Sequence, residues 1–136
     1  MMKAKVLIIE DDRDLANLFK IVLEMSGFEV SAVHDGMQGV EVLTTQPLPD
    51  AVMLGMHLPG ISGEEIYALM TERGNAQRVV ICSADVQLVE HYKSLGANAI
   101  TKPTPMDDLQ RLIKKIVSGE EYTQRSNHER YEYANS

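Results

Sequence analysis

Short apolar runs rich in β-branched residues alternate along this chain with longer stretches whose apolar positions recur every three or four residues. Val6 to Ile9, Val30 to Val33, Ala51 to Leu54, Val79 to Cys82 and Ala99 to Thr101 form the short runs. Several are apolar on consecutive residues, the pattern of parallel strands covered on both faces. Between them, Leu15, Leu18, Phe19, Val22 and Leu23 follow the i, i+3, i+4, i+7, i+8 spacing of one helix face. Leu109, Leu112, Ile113 and Ile116 repeat that stripe near the end.

Turn and cap residues divide the chain at the same places. Gly27, Gly74, Gly96 and Gly119 each follow a helical stretch, where glycine takes the left-handed conformation that stops a helix. Ser62-Gly63-Glu64-Glu65 has capping-box spacing, with Ser62 set to accept from the Glu65 amide and Glu65 to reach back. Thr104-Pro105 predicts a cap and a first-turn proline for the last helix. Five strand–helix units in succession imply right-handed crossovers. The expected fold is α/β: a doubly wound, five-stranded parallel sheet with five helices on its two faces. Its functional cleft belongs at the carboxyl ends of the strands.

The residues at those ends carry chemistry. The first strand runs into Glu10-Asp11-Asp12, the fourth into Ser83 and the fifth into Lys102-Pro103. Hard carboxylate oxygens suit Mg²⁺, while a hydroxyl and an ammonium suit phosphoryl oxygens. Each has a plainer reading. Asp11 or Asp12 alone serves equally well as a helix cap, Ser83 alone as a strand-end hydroxyl, and Lys-Pro alone says little. The joint placement is what makes the set informative.

Val6-Leu7-Ile8-Ile9-Glu10-Asp11-Asp12 resembles the first strand and acidic pocket of bacterial response-regulator receiver domains, whose flavodoxin-like fold implies strand order 2-1-3-4-5 here. Pro49 to Gly63 resembles their third strand and following loop. Ile81-Cys82-Ser83-Ala84, Leu95-Gly96-Ala97 and Ile100-Thr101-Lys102-Pro103 match later motifs in order and spacing, so the resemblance covers residues 4 to about 118. It implies that Glu10 and Asp11 are the Mg²⁺-binding acids and that the His57 backbone carbonyl is a further metal ligand. By the same resemblance Ser83 and Lys102 engage the phosphoryl group, and the bond before Pro103 is cis.

Two positions break the family pattern. The acceptor aspartate belongs five residues after Asp50, and that residue is Gly55. Phosphorelay needs a carboxylate to attack a phosphohistidine, and glycine has no side chain. The aromatic switch residue belongs three before Lys102, and that residue is Ala99. Family rings there swing inward when the hydroxyl moves toward phosphate; Ser83 has no such ring to gate. The pocket of Glu10, Asp11, Gly55, Ser83 and Lys102 is therefore read as a degenerate phosphorylation site with no catalytic residue. Asp50 lies at the wrong end of its strand to substitute, and His57 would be different chemistry. With one carboxylate missing, Lys102 is expected to pair with Asp11 or Glu10, and Mg²⁺ to bind weakly if at all. No cofactor is required.

Composition narrows the function classes. With 13 basic against 20 acidic residues and a net charge of −7, direct nucleic-acid binding is not expected. No apolar stretch is long enough to span a membrane, the single Cys82 reads as a buried small hydrophobe, and Met1 to Lys5 lead straight into the first strand. These favour a cytoplasmic protein without a signal peptide. His34, His91 and His128 show no metal-ligand spacing and read as surface residues. A nucleotide or flavin enzyme on the same fold is disfavoured, because Glu10-Asp11-Asp12 would repel a phosphate where such sites place glycine.

The expected organisation is a receiver domain over residues 1–119 and a polar tail over 120–136. The expected function is a non-enzymatic, stand-alone signalling module of two-component type, working through protein contacts without aspartyl phosphorylation. The alternative is a working receiver carrying an engineered Asp-to-Gly substitution. Partners are expected in trans, a histidine kinase or an output protein, and the resemblance implies that they meet roughly Asp85 to Leu95, Asn98 to Thr101 and Pro105 to Ser118. Tyr122, Tyr131 and Tyr133 supply anchors for the tail, which is expected to be ordered in a homodimer or else to continue the last helix past Gly119.

Overall fold

A computed structural model describes residues 3–119. The Glu120 to Ser136 tail, with the homodimer expected of it, lies outside the described residues. The elements run β1 (Lys5–Ile9), α1 (Arg13–Met25), β2 (Glu29–Val33), α2 (Gly36–Thr45), β3 (Ala51–Gly55), α3 (Gly63–Glu72), β4 (Val79–Ser83), α4 (Val86–Ser94), β5 (Asn98–Thr101) and α5 (Met106–Ser118). A short 3₁₀ turn, Ala76–Arg78, precedes β4. The strands form one parallel sheet in order β2-β1-β3-β4-β5, the order that the resemblance to receivers implies.

Alternation along the strands divides the core between the two faces. Val6, Ile8, Met53, Val80 and Cys82 point to one side, where Ala16, Phe19 and Leu23 of α1 and Leu109, Leu112 and Ile113 of α5 cover them. Leu7, Ile9, Val52, Leu54 and Ile81 point to the other, beneath Leu43 of α2, Ile66 and Met70 of α3 and Val89 of α4. Because β1, β3 and β4 are buried on both sides, they read as unbroken apolar runs.

Helix starts follow a common rule. Asp12, Asp35, Ser62 and Asp85 each accept from the amide three residues on, at 3.1, 2.8, 3.2 and 3.1 Å respectively. That satisfies one otherwise orphaned N–H per helix and places negative charge or a hydroxyl at its positive end. The expectation for α5 needs correcting. Pro105 itself holds the cap position without a side-chain bond, and the Thr104 hydroxyl donates to the Thr101 carbonyl instead. A residue before proline is pushed toward extended backbone, which turns Thr104 away from the helix. Gly27, Gly74, Gly96 and Gly119 all have positive φ, as expected of helix stops.

Leu18 is a second correction. It belongs to the apolar stripe by spacing, yet it is 46% exposed, and Ile21 and Met25 on the same side are 48% and 81% exposed. The sheet takes only the arc through Ala16, Phe19 and Leu23, so α1 carries more apolar surface than its packing uses. Among the described residues no helix is long and apolar enough to cross a membrane.

Candidate functional site

Four neighbouring strands, β1, β3, β4 and β5, end side by side in Glu10, Gly55, Ser83 and Lys102. Register sets this arrangement: Ile9 pairs with Leu54, Gly55 with Cys82, and Ser83 with Thr101. The Lys102 amide then donates to the Ser83 carbonyl at 2.9 Å, holding the lysine at the mouth of the cleft.

Glu10 is the buried charge of the site, 3% exposed. One carboxylate oxygen accepts from the Lys102 ammonium, 92 residues away in sequence. The other accepts from the Asp12 amide at 3.2 Å. Burial raises the Glu10 pKa above the ordinary carboxylate value, and a hydrogen bond with the Asp11 carboxyl adds to this. Lys102 and the Asp12 amide work in the opposite direction. Of the two acids that spacing offered to Lys102, the structure selects Glu10. Asp11 is exposed beside it.

Gly55 has no conformational need to be glycine, because its φ lies outside the left-handed region. A Cβ there would stand 3.1 Å from the Ile9 carbonyl oxygen and 3.6 Å from both Glu10 Oε2 and Leu58 Cδ2. That is tight, yet it asks the neighbours for only a few tenths of an ångström. Gly63 is different. A Cβ on it would meet the Gly55 carbonyl at 2.3 Å and Met56 Cα at 2.6 Å, so α3 begins against the end of β3 only because residue 63 is glycine.

Ser83 is buried, and its hydroxyl accepts from the Asp85 amide at 3.1 Å, facing the start of α4. Ala99 is buried in β5 on the face under α3 and α4. His57 lies exposed two residues beyond β3. The Lys102–Pro103 bond is cis. Cys82 is buried as expected, and burial pushes its thiol up to about 12.

His34 corrects the sequence reading. It is half-buried rather than a free surface residue, and its Nδ1 lies 3.0 Å from the Glu10 carbonyl. A carbonyl only accepts, so Nδ1–H donates. The contact continues the β1–β2 ladder, in which the Glu10 amide donates to the Val33 carbonyl at 3.0 Å. Gln38 Oε1 in turn accepts from the His34 amide. Lone histidine spacing gave no hint of this, whereas the missed caps Asp35-Gly36 and Asp85-Val86 follow a legible start signal.

Glu10 is not free to bind a metal as the pocket is arranged. Among the described residues no group of three or more His, Cys, Asp or Glu side chains is placed to hold a metal ion. Both oxygens of Glu10 are already engaged, one of them by a cation. A metal bound directly to Glu10 would have to displace Lys102, whereas the Asp11 carboxylate beside it lies exposed.

Comparison with known proteins agrees with this geometry. Residues 6–114 match the response regulator receiver domain model. Sporulation initiation phosphotransferase F of Bacillus subtilis is 30% identical over 120 residues, which cover 86% of this chain and 96% of that protein. The chain spans about half the length of other curated relatives it matches. The Francisella response regulator 1452 receiver domain superposes with a TM-score of 0.77 at 21% identity, covering 86% of this chain and 98% of that one. The receiver domain of sensor histidine kinase PA1611 from Pseudomonas aeruginosa, solved with magnesium in its active-site cleft, gives 0.72 at 20% identity over 86% and 99% of the two chains. By its strand order, its strand-end residues and these matches, the chain belongs to the response regulator receiver domain family.

Proposed function

We propose that this receiver signals through protein contacts without aspartyl phosphorylation, because Gly55 stands where the acceptor carboxylate belongs. One observation carries the reading: the end of β3 offers no nucleophile, and the lysine beside it is committed to Glu10. Acyl-phosphate formation requires a carboxylate oxygen to attack phosphorus. Glu10 does not stand in, since its oxygens are buried and bound to Lys102 and Asp12. Its partners are proteins, a histidine kinase or an output module, meeting the α4–β5–α5 face. The acidic charge of −7 argues against direct contact with nucleic acid.

A second reading rests on Gly55 itself. Neither its φ nor the space around it demands glycine, so a working acceptor replaced by substitution also fits the site. The test is to incubate the chain with Mg²⁺ and either acetyl phosphate or beryllofluoride. Intact mass and the amide NMR shifts of Gly55, Ser83 and Lys102 should stay unchanged. A mass gain of one phosphoryl group, or clear shifts at those amides, would overturn the proposal. Gly55→Asp then separates the two readings: full phosphorylation of that variant would favour the second.

A further inference from the structure

We infer that Tyr67 and Tyr92 form a lock between α3 and α4 that holds the α4–β5 surface in one conformation, whatever happens in the pocket. This rests on the reading above and deepens it by assigning the residues that keep the output surface constant.

The position expected to carry a mobile ring on β5 is Ala99, buried on the face beneath α3 and α4. The rings that pack against this part of the core come from the helices instead. Tyr67 of α3 and Tyr92 of α4 meet edge to face, with centroids 5.3 Å apart and planes at 80°. That geometry sets the positive edge of one ring against the negative face of the other. His91 makes a similar contact with Tyr92 at 5.5 Å and 74°.

Position in the fold makes this pair a restraint rather than a gate. A ring on a strand can change rotamer while its backbone stays in the sheet. Two half-buried rings that meet between α3 and α4 part only when one ring leaves its packing or α4 shifts against α3. Tyr92 is also held through its backbone, since its carbonyl accepts from the Ala97 amide at 3.0 Å and the Leu95 amide at 3.1 Å. The residue that anchors the ring pair thus also closes the turn into β5. Burial raises the Tyr92 phenol pKa, helped by Glu64 and Tyr67. At the opposite end of α4, the Ser83 hydroxyl already accepts from the Asp85 amide, so both ends of the helix are tied down.

Two measurements on the full chain test the lock. The first compares Gly55→Asp with the double variant Gly55→Asp, Tyr92→Leu, each with Mg²⁺ and beryllofluoride. In Gly55→Asp, shift changes should stay near Glu10, Ser83 and Lys102 and leave residues 86–101 unmoved. Adding Tyr92→Leu should let them spread along α4 and β5. Spread through residues 86–101 with both tyrosines intact would overturn the lock. A beryllofluoride response in the unsubstituted chain would instead overturn the phosphorylation-independent reading, so the two failures are distinct. The second needs no ligand: amide exchange in Val86–Ser94 should speed up about two- to tenfold in Tyr67→Leu and again in Tyr92→Leu. The double variant should go no further than either single one, and Tyr92→Phe should behave as the parent. Additive effects, each confined to its own helix, would refute the coupling.

Discussion

Gly55→Asp tests the pocket's electrostatics by returning one carboxylate to it. The backbone conformation admits a side chain, because φ at residue 55 is unexceptional, while the Ile9 carbonyl, 3.1 Å from a new Cβ, must give by a few tenths of an ångström. Replacing glycine also narrows the unfolded ensemble, favouring the fold by about 0.4–1 kcal/mol. Charge works against this gain. The new carboxylate would sit roughly 4 Å from Glu10, where like charges at an effective dielectric near 20 repel by about 4 kcal/mol. Lys102 offsets part of that repulsion, but its ammonium is already shared with Glu10. The expected balance in EDTA at pH 7 is a loss of about 1–3 kcal/mol, or roughly a 1 M drop in the urea midpoint. Mg²⁺ at a hundred times its Kd should restore about 2.7 kcal/mol to the variant, while the parent stays insensitive. Urea denaturation of both proteins, with and without Mg²⁺, measures this directly. A variant as stable as its parent in EDTA and indifferent to Mg²⁺ would refute the argument that charge crowding, relieved by Gly55, sets the pocket's properties.

Three further outcomes are expected. Lys102→Met should cost about 2 kcal/mol at pH 8, since it strands a buried carboxylate, with the figure discounted for the partly exposed lysine. The raised folded pKa of Glu10 makes that loss largest at high pH and has it shrink on acidification toward the ordinary carboxylate pKa, so chemical denaturation at pH 8 and pH 5 checks both sign and size. The Cys82 thiol, pushed up to about 12 by burial, should resist iodoacetamide at pH 8 until the chain unfolds. Because its folded pKa is raised, it should also withdraw stability as pH climbs from about 9 toward 12, at up to about 1.4 kcal/mol per unit, a slope that Cys82→Ala removes. Leu18→Gln and Met25→Gln should each change stability by less than about 0.5 kcal/mol, because both side chains already face solvent; a loss above 2 kcal/mol in a melt would show that this face of α1 is packed.

The sequence by itself determined the elements and their order. Consecutive apolar residues in Val6 to Ile9 and Val79 to Cys82 leave no polar face, so those strands must be central, and glycine ends each of four helices where backbone sterics let little else do so. These are local effects, readable within one turn or strand. The location of the cleft followed from topology, and with it the strand-end positions of Glu10, Gly55, Ser83 and Lys102. What they bond to did not. Lys102 selects Glu10 over Asp11 because parallel register brings together groups 92 residues apart and burial turns the Glu10 side chain inward. His34 joins the site through the Glu10 carbonyl, a contact no spacing encodes. Leu18 fits the helical period as well as Phe19 does, yet only the width of the sheet decides which is covered. Tyr67 and Tyr92 meet because α3 and α4 cover the same face of the sheet. Local propensity fixes what each segment becomes; long-range packing alone decides which side chains meet, because its energy depends on residues that are distant in the chain.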